Sequence, residues 1–240
     1  RLGGNTRVVV ADLPSGEVLE QAGATLFRPP ASVTKAVTAL YAREALGPYH
    51  RFATRLMATG PVTEGRLEGD LILVGGGDPL LATDDLAALA EALAGAGVRE
   101  VAGAFRVSTG GLPDFREIDE GQLDHVGYNP GVSGLNLNFN RVHFEWSQAG
   151  SDYRVTMDAR SETIRPSVAV ARMSVVDRSR PIYTYADADG VDEWTVARGA
   201  LGTGGSRWLP VRRPALYCGD VFRTVARAQG LELAQATLME

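Results

Sequence analysis

Length, composition and charge limit the classes of protein that this sequence can encode. The chain has 240 residues, 45% of them hydrophobic, and a net charge of −5, which is typical of a globular protein with one or two domains. The negative charge and the lack of a basic stripe argue against a nucleic-acid partner, and no apolar run reaches the length of a membrane span. The single cysteine, Cys218, excludes an internal disulfide bond.

The amino-terminal segment predicts a β-hairpin. Residues 6–12 and 17–21 have strand-like composition and flank the turn-forming stretch from Leu13 to Gly16. The chain begins at Arg1 rather than at methionine and shows no signal peptide. We therefore expect a processed form or a trimmed one.

Residues 28–47 predict a helix. Apolar residues recur there at helical spacing, two prolines stand ahead of them, and Gly47 ends the pattern. Ser32 falls in the first turn, and Lys35 lies one turn later on the same face. Unpaired N–H groups and the positive end of the helix dipole at this terminus suit developing negative charge.

Lys35 is the only lysine among 24 basic residues. Arginine stays protonated in proteins, whereas a lysine can lose its proton when it is buried or placed beside other cations. A serine hydroxyl is a poor nucleophile unless a neighbouring base removes its proton. The pattern therefore predicts Ser32 as a nucleophile and Lys35 as its general base. A solvated lysine beside an ordinary serine N-cap is the alternative that the local pattern leaves open.

The rest of the chain predicts a β-rich middle followed by a final helix. The predicted elements are strands at 51–59 and 66–74, a helix capped by Thr83 that runs to Leu93, mostly strands from about 98 to 200, and a helix from Pro214 to Gln229. Helix-rich ends around a β-rich middle indicate a domain that is interrupted by an insertion.

Two glycine-rich or acidic segments resemble ligand-binding loops only loosely. Gly75–Gly77 lacks the Gly-Lys-Ser/Thr ending of a phosphate loop and the helix that should follow it, so a turn after a strand is expected. In the acidic stretch 187–193, Gly190 comes too early for a calcium-binding EF-hand loop. A solvated acidic turn is therefore favoured.

The histidines and tryptophans do not form a recognisable site in the sequence. His50, His125 and His143 are too scattered for a zinc site. His125 beside Asp124 could orient a proton relay, but a surface pair is favoured. The three tryptophans are interpreted as core or sheet residues. We therefore expect neither a metal nor a cofactor.

Four stretches, taken together, resemble one known family. They are R-P-P-A-S-V-T-K at 28–35, G-D-L-I-L-V-G-G-G-D-P at 69–79, Y-N-P-G-V-S-G-L-N-L-N-F-N at 128–140, and R-R-P-A-L-Y at 212–217. On these residues the chain resembles the serine D-Ala-D-Ala carboxypeptidases/endopeptidases of the penicillin-binding protein 4 type. The stretches follow one another in the expected order and span nearly the whole chain, which is far more specific than Ser-x-x-Lys alone.

The resemblance implies an α+β fold of the penicillin-binding protein/serine β-lactamase type, with helices packed on an antiparallel sheet. Residues 1–57 and 212–240 would form part of this catalytic domain, and residues 58–211 an inserted, mostly β region. The resemblance also implies a periplasmic protein with no membrane span.

The resemblance implies that Ser32 attacks the carbonyl between the two terminal D-alanines of a peptidoglycan stem peptide. Lys35 would remove the hydroxyl proton, and the Ser32 N–H would supply half of an oxyanion hole. β-Lactams would be trapped as slowly hydrolysed acyl-enzymes. The oligomeric state does not follow from the resemblance.

The sequence departs from the family pattern because it contains neither a Ser-x-Asn nor a Lys-Thr-Gly triplet. Gly202-Thr203-Gly204 lacks the basic residue, and in the family both triplets follow the point that corresponds to Glu240. We therefore expect the amino-terminal part of a longer enzyme, inactive on its own. A non-catalytic muropeptide-binding or scaffolding protein, and a β-lactamase or esterase, are the alternatives.

Overall fold

A computed structural model describes residues 6–25, 27 and 29–239 of the chain. The chain divides into two compact units, with the boundary between Arg51 and Phe52. Among the described residues, no helix has both the length and the apolar character needed to cross a bilayer.

The first unit contains a hairpin and a helix. Strands β1 (Val8–Ala11) and β2 (Val18–Ala22) pair antiparallel, which confirms the predicted hairpin. A 3-10 turn at Ala31–Val33 leads directly into helix α1 (Thr34–Leu46). None of the described residues up to Arg51 is buried. This unit therefore shows no enclosed hydrophobic core of its own.

The second unit contains thirteen strands and two helices among the described residues. Its elements are β3 (Arg55–Ala58), β4 (Val62–Thr63), β5 (Arg66–Leu67), β6 (Leu71–Val74), α2 (Thr83–Gly95), β7 (Glu100–Val101), β8 (Phe105–Ser108), β9 (Arg141–Ala149), β10 (Asp152–Asp158), β11 (Ala171–Val176), β12 (Tyr183–Ala188), β13 (Val191–Ala197), β14 (Gly204–Pro210), α3 (Pro214–Ala228) and β15 (Thr237–Leu238). The β-rich middle predicted from the sequence is confirmed.

These strands form four sheets, only one of which is antiparallel throughout. The order β10-β9-β14 is antiparallel. In β15-β8-β6-β3 the first three strands are parallel neighbours and β3 is antiparallel to β6. In β11-β13-β12 and β4-β5-β7, one pair is parallel and one antiparallel. Three of the four sheets therefore contain both parallel and antiparallel pairs.

The core of the second unit follows from the burial pattern of its strands. Leu71, Ile72 and Leu73 of β6 are buried in succession, as expected for a strand covered on both faces. In β13 burial alternates along the strand, so that Trp194 and Val196 face the core. A fully buried side chain of this size stabilises the fold by about 1.5–3 kcal/mol relative to its exposed state.

Helix α3 belongs to this core. It starts at Pro214, a residue that suits the first helical position, and it packs against α2 and β8. The Phe222 ring lies 5.6 Å from the Phe105 ring, between centroids. Residues 212–239 therefore pack within the second unit. The predicted grouping of 212–240 with 1–57 in one domain finds no support in this packing.

Helix α2 starts where predicted, but not by the predicted cap. The Ala82 N–H donates to the Asp85 carboxylate at 2.8 Å, and acidic residues in the first turn favour the helix dipole. The Thr83 hydroxyl is buried and instead donates to the Ala159 carbonyl at 2.7 Å. The predicted start of α2 is therefore confirmed, whereas the prediction that Thr83 caps the helix is wrong.

The glycines after β6 allow two segments to approach closely. A Cβ on Gly75 would lie 2.2 Å from the Gly134 carbonyl oxygen, and one on Gly76 would lie 2.3 Å from that of Ala53. Gly77 adopts φ 76°, a conformation that glycine reaches without a steric cost. The segment after β6 has no regular structure, and the close approach of neighbouring backbone accounts for these glycines.

We expect Phe222→Ala to lower the free energy of unfolding of the second unit by about 3–5 kcal/mol, because a buried aromatic ring is replaced by a cavity. Tryptophan fluorescence during urea unfolding measures this directly, since Trp146, Trp194 and Trp208 all lie in the second unit. Leu80→Ala, at a largely exposed side chain, is the control and should change the value by less than about 0.5 kcal/mol. Equal stability of the two variants would show that α3 is not part of this core.

Candidate active site

Ser32 and Lys35 lie together at the start of α1. Ser32 is in the 3-10 turn, and Lys35 is the second residue of the helix. The Lys35 Nζ donates a hydrogen bond to the Ser32 Oγ at 2.9 Å. The same separation would let the hydroxyl donate to a neutral amine, as general-base catalysis requires. The structure therefore brings the two predicted site residues into contact, and their chemical roles stay predictions.

The backbone ahead of Ser32 has an unusual conformation. Ala31 adopts φ 45°, in the left-handed region that non-glycine residues rarely enter. The Val33 N–H donates to the Pro30 carbonyl at 3.0 Å and closes the turn around Ser32. Strain of this kind is found most often at functional sites. The turn fixes Ser32 at the helix start, where first-turn N–H groups lack helical partners.

Both side chains of the pair are exposed, and so is the helix that carries them. No residue of α1 is buried, and its large apolar residues face water, with relative exposures of 69% for Val37, 61% for Leu40 and 73% for Tyr41. A lysine that acts as a base needs shelter from water or neighbouring cations. Among the described residues, the pair has the contact geometry of a nucleophile and its base without an enclosing pocket.

Two carboxylates of the acidic segment 187–193 accept hydrogen bonds from arginines. The Asp187 carboxylate accepts hydrogen bonds from Arg116 at 2.7 Å and from Arg213 at 2.6 Å, and these partners lower the pKa of Asp187. Asp192 is buried and accepts from the Arg212 N–H at 3.0 Å. The prediction of a solvated turn is therefore wrong for Asp192, whereas Asp187 is exposed and also paired with arginines. In the part of the chain that the structure describes, no cluster of histidine, cysteine and acidic side chains could hold a metal ion.

The half-buried Tyr185 completes this arginine-rich group. Its hydroxyl donates to Asp192 at 3.0 Å, and burial together with the Asp192 charge raises the pKa of Tyr185 to about 12. Burial also raises the pKa of Asp192. The group is a structural network that local sequence patterns do not reveal, because its arginines lie far along the chain from its carboxylates.

His143 is a core residue and His125 a partly buried one. His143 lies edge-on to Trp208, with 4.8 Å between ring centroids, and its Nδ1 has no hydrogen-bond partner among the described residues. Burial, followed by the charge of Arg160, lowers the pKa of His143. His125 stacks on Tyr183 at 5.0 Å between centroids. Stacking on Tyr183 orients the His125 ring. The predicted surface pair of His125 with Asp124 forms no hydrogen bond or ion pair among the described residues.

The sequence profile of the D-Ala-D-Ala carboxypeptidase 3 (S13) family matches residues 1–239. The chain belongs to this family. The resemblance found in the sequence motifs is thereby confirmed.

Among the curated proteins that match part of the chain are two D-alanyl-D-alanine carboxypeptidases. The D-alanyl-D-alanine carboxypeptidase of Actinomadura sp. (strain R39) is 42% identical over 116 residues, which cover 47% of this chain and 21% of that protein. The D-alanyl-D-alanine carboxypeptidase DacB of Haemophilus influenzae is 28% identical over 107 residues, which cover 45% of this chain and 22% of that protein. The matched segments thus span about a fifth of each relative.

The fold is similar to that of a solved penicillin-binding protein. The crystal structure of penicillin binding protein 4 (dacB) from Haemophilus influenzae matches with a TM-score of 0.74 and 18% identity, over 96% of this chain and 52% of that one. A structure of the same protein with a novel β-lactam gives a TM-score of 0.68 at 18% identity, over 96% of this chain and 50% of that one. The chain therefore has a penicillin-binding-protein-like fold of mixed sheets and few helices, and it spans about half the length of these structures.

The lowered pKa of His143 predicts a loss of stability in acid. An unfolded histidine binds a proton below about pH 6.5, whereas folded His143 resists protonation. Its contribution is therefore complete above about pH 6.5 and is lost as the pH falls toward the folded-state pKa. In urea unfolding between about pH 8 and pH 5, His143→Gln should show a smaller drop in stability than the parent chain.

The matched control is His125→Gln, because the pKa of His125 is also lowered, mainly by burial. Comparing the acid-induced loss of stability in the two variants separates the contribution of His143 from that of His125. An acid-induced drop that is unchanged in His143→Gln would contradict the assignment.

Proposed function

We propose that this chain carries the nucleophile and the base of a serine-type D-Ala-D-Ala carboxypeptidase/endopeptidase that acts on peptidoglycan stem peptides. The observation that supports it most directly is the contact of 2.9 Å between the Lys35 Nζ and the Ser32 Oγ. The membership of the S13 family gives this contact a chemical context. The relatives are named as D-alanyl-D-alanine carboxypeptidases, which is the activity proposed here.

In the proposed reaction the Ser32 Oγ attacks the carbonyl carbon between the two terminal D-alanines, and its proton passes to the Lys35 amine. The negative charge that develops on the carbonyl oxygen lies near the amino-terminal end of α1, where N–H donors can stabilise it. Collapse of this intermediate breaks the peptide bond, and the leaving amine takes the proton. Water then hydrolyses the ester on Ser32 and regenerates the free hydroxyl.

We propose that further protein surface covers α1 in the active enzyme. The reactive pair and the apolar residues Val37, Leu40 and Tyr41 are exposed in the described chain, yet a basic lysine needs a sheltered environment. A surface that buried this apolar face would also enclose the pair. The Ser-x-Asn and Lys-Thr-Gly triplets, which this sequence lacks, would lie on that surface.

The division into domains is part of the same proposal. Of the predicted residues 1–57, those up to Arg51 would belong to a catalytic domain in which helices pack on an antiparallel sheet, since β3 pairs with β6 of the second unit. The antiparallel hairpin β1–β2 has unpaired outer edges among the described residues and is suited to further pairing. Residues 58–211 would form the inserted β-rich region. The packing of α3 favours placing residues 212–239 with that region.

The proposed substrate indicates where in the cell the enzyme would act and which compounds would inhibit it. Peptidoglycan lies outside the cytoplasmic membrane, so we propose a periplasmic enzyme. β-Lactams imitate the D-Ala-D-Ala carbonyl and would acylate Ser32. The solved structure of a fold relative with a β-lactam supports this expectation.

A non-catalytic muropeptide-binding or scaffolding protein is the second candidate. The exposure of both Ser32 and Lys35 favours it, because an open pair gives no protected environment for proton transfer. It differs from the first candidate in one measurable respect, since it would bind muropeptides without forming a covalent adduct.

Labelling of the complete protein with fluorescent penicillin tests the nucleophile. We expect Ser32→Ala to abolish labelling, because no ester can form, while Ser206→Ala, at an exposed serine on β14, leaves it intact. Labelling that persists in Ser32→Ala would disprove the nucleophile. The absence of labelling in the parent protein, with muropeptide binding retained, would favour the second candidate.

Exchange of the base tests Lys35 separately. We expect Lys35→Arg to slow acylation by about 100-fold or more, because a guanidinium does not give up its proton and general-base catalysis is lost. Arg43→Lys, the reverse exchange on the same helix, is the matched control and should leave the rate unchanged. A rate for Lys35→Arg within about threefold of the parent would rule out the base role.

The chain of 240 residues by itself should acylate slowly. We expect its rate with fluorescent penicillin to fall below that of the complete protein by about 100-fold or more, since the pair is exposed and one oxyanion donor is missing. Gel fluorescence against time measures both rates. Rapid, stoichiometric acylation of the 240-residue chain would show that no further surface is needed.

A further inference from the structure

One cavity is lined only by residues of the second unit. It has a volume of about 350 Å³ and is lined by three segments of the chain. Leu123 and Ile182 supply apolar walls, and Arg180, Arg207 and His125 supply polar groups. The volume falls in the range of small-molecule sites, and the cavity is open to solvent, since Leu123 and Ile182 are 66% and 46% exposed.

Tyr183 positions two of these polar groups. The Arg207 guanidinium lies over the Tyr183 ring, 4.8 Å from its centroid, and the His125 ring stacks on Tyr183 at 5.0 Å between centroids. A cation held against an aromatic face in this way is weakly hydrated and partly ordered. Arg207 therefore reaches the cavity in a defined orientation rather than as a free surface side chain.

The positive charge at this cavity is not neutralised by the protein. In the described parts of the chain, neither Arg180 nor Arg207 has a carboxylate within 4.0 Å, whereas Arg160 contacts two and Arg213 contacts one. The acidic residue on the cavity wall is Asp124, whose carboxylate lies 3.8 Å from the Arg212 guanidinium. Two guanidinium groups thus face the cavity, and its one carboxylate lies beside a different arginine.

The pKa of His125 is consistent with an excess of positive charge at the cavity. Burial lowers the pKa of His125, the nearby charge of Arg207 lowers it further, and Asp124 acts weakly in the opposite direction. An anion bound beside Arg207 would oppose that repulsion. His125 is therefore a built-in reporter of any anion that enters the cavity.

We propose that this cavity binds a small organic carboxylate with an apolar body, of the kind found at the carboxyl end of a short peptide. Arg180 and Arg207 would hold the carboxylate, because a guanidinium matches its two oxygens. Leu123 and Ile182 would contact the aliphatic part. The proposal does not involve Ser32 and stands independently of the proposed function.

Titration of the 240-residue chain with N-acetyl-alanyl-alanine tests the proposal, with the histidine ring protons followed by NMR. We expect the peptide to shift the His125 signal and to raise the His125 pKa. Arg207→Gln should weaken binding by about tenfold or more, the loss expected for a charge-assisted hydrogen bond. Arg180→Gln, at an exposed position, should weaken it in the same direction and guards against a folding defect in the first variant.

Matched controls test whether binding depends on the carboxylate of the peptide. Arg154→Gln, an exposed arginine on β10, should bind the peptide as the parent does, and the peptide's carboxyl-terminal amide should bind at least about tenfold more weakly. Equal binding of the amide would overturn the proposal. Equal binding of inorganic phosphate would reduce the cavity to a general anion site, and a His125 signal unchanged by the peptide would exclude binding there.

Discussion

The hydrogen bond between Lys35 and Ser32 depends on the register at which α1 begins. A 3-10 turn at Ala31–Val33 followed directly by the helix places a residue and the one three positions later on the same face. A later start that left Ser32 outside the helical turn would remove this geometry. The left-handed backbone of Ala31 is the local distortion that accompanies this register, and it lies where a nucleophile would require a fixed position. The chemistry proposed for the chain therefore depends on a few backbone angles.

The two units differ in how they obtain stability. The second unit encloses a continuous core, in which β6, β13 and α3 bury large side chains. The first unit leaves the apolar residues of α1 and of its hairpin in water among the described residues. An apolar face of that size is costly to expose, and a covering surface would remove the cost and shelter Lys35 together. Under the proposed function, the stability of the first unit and its catalysis would require the same covering surface.

Local sequence patterns predicted the helices and strands. The strand pairings and ion pairs that were not predicted involve residues far apart in the sequence. The hairpin, the start of α1 and the proline-led α3 follow from turn residues and helical periodicity within each segment. The parallel pairing of β6 with β8 was not predictable, since side-chain periodicity does not identify a strand's partner. The role of Asp187 was missed because one of its arginines is 71 residues away in sequence. The contact between Ser32 and Lys35 was predictable because one turn of helix fixes it.

The arginines of this chain show why one lysine is informative. The Arg212 guanidinium donates to the Asn129 carbonyl at 2.7 Å and to the Asp124 carbonyl at 3.0 Å, and Arg160 binds both oxygens of Asp158. Each uses several fixed donors, which an ammonium group cannot reproduce. At Ser32 the requirement is the reverse, because a base must be able to lose its proton and a guanidinium cannot. A chain that uses arginine for every other positive charge therefore places lysine at the one position where only lysine can do the proposed chemistry.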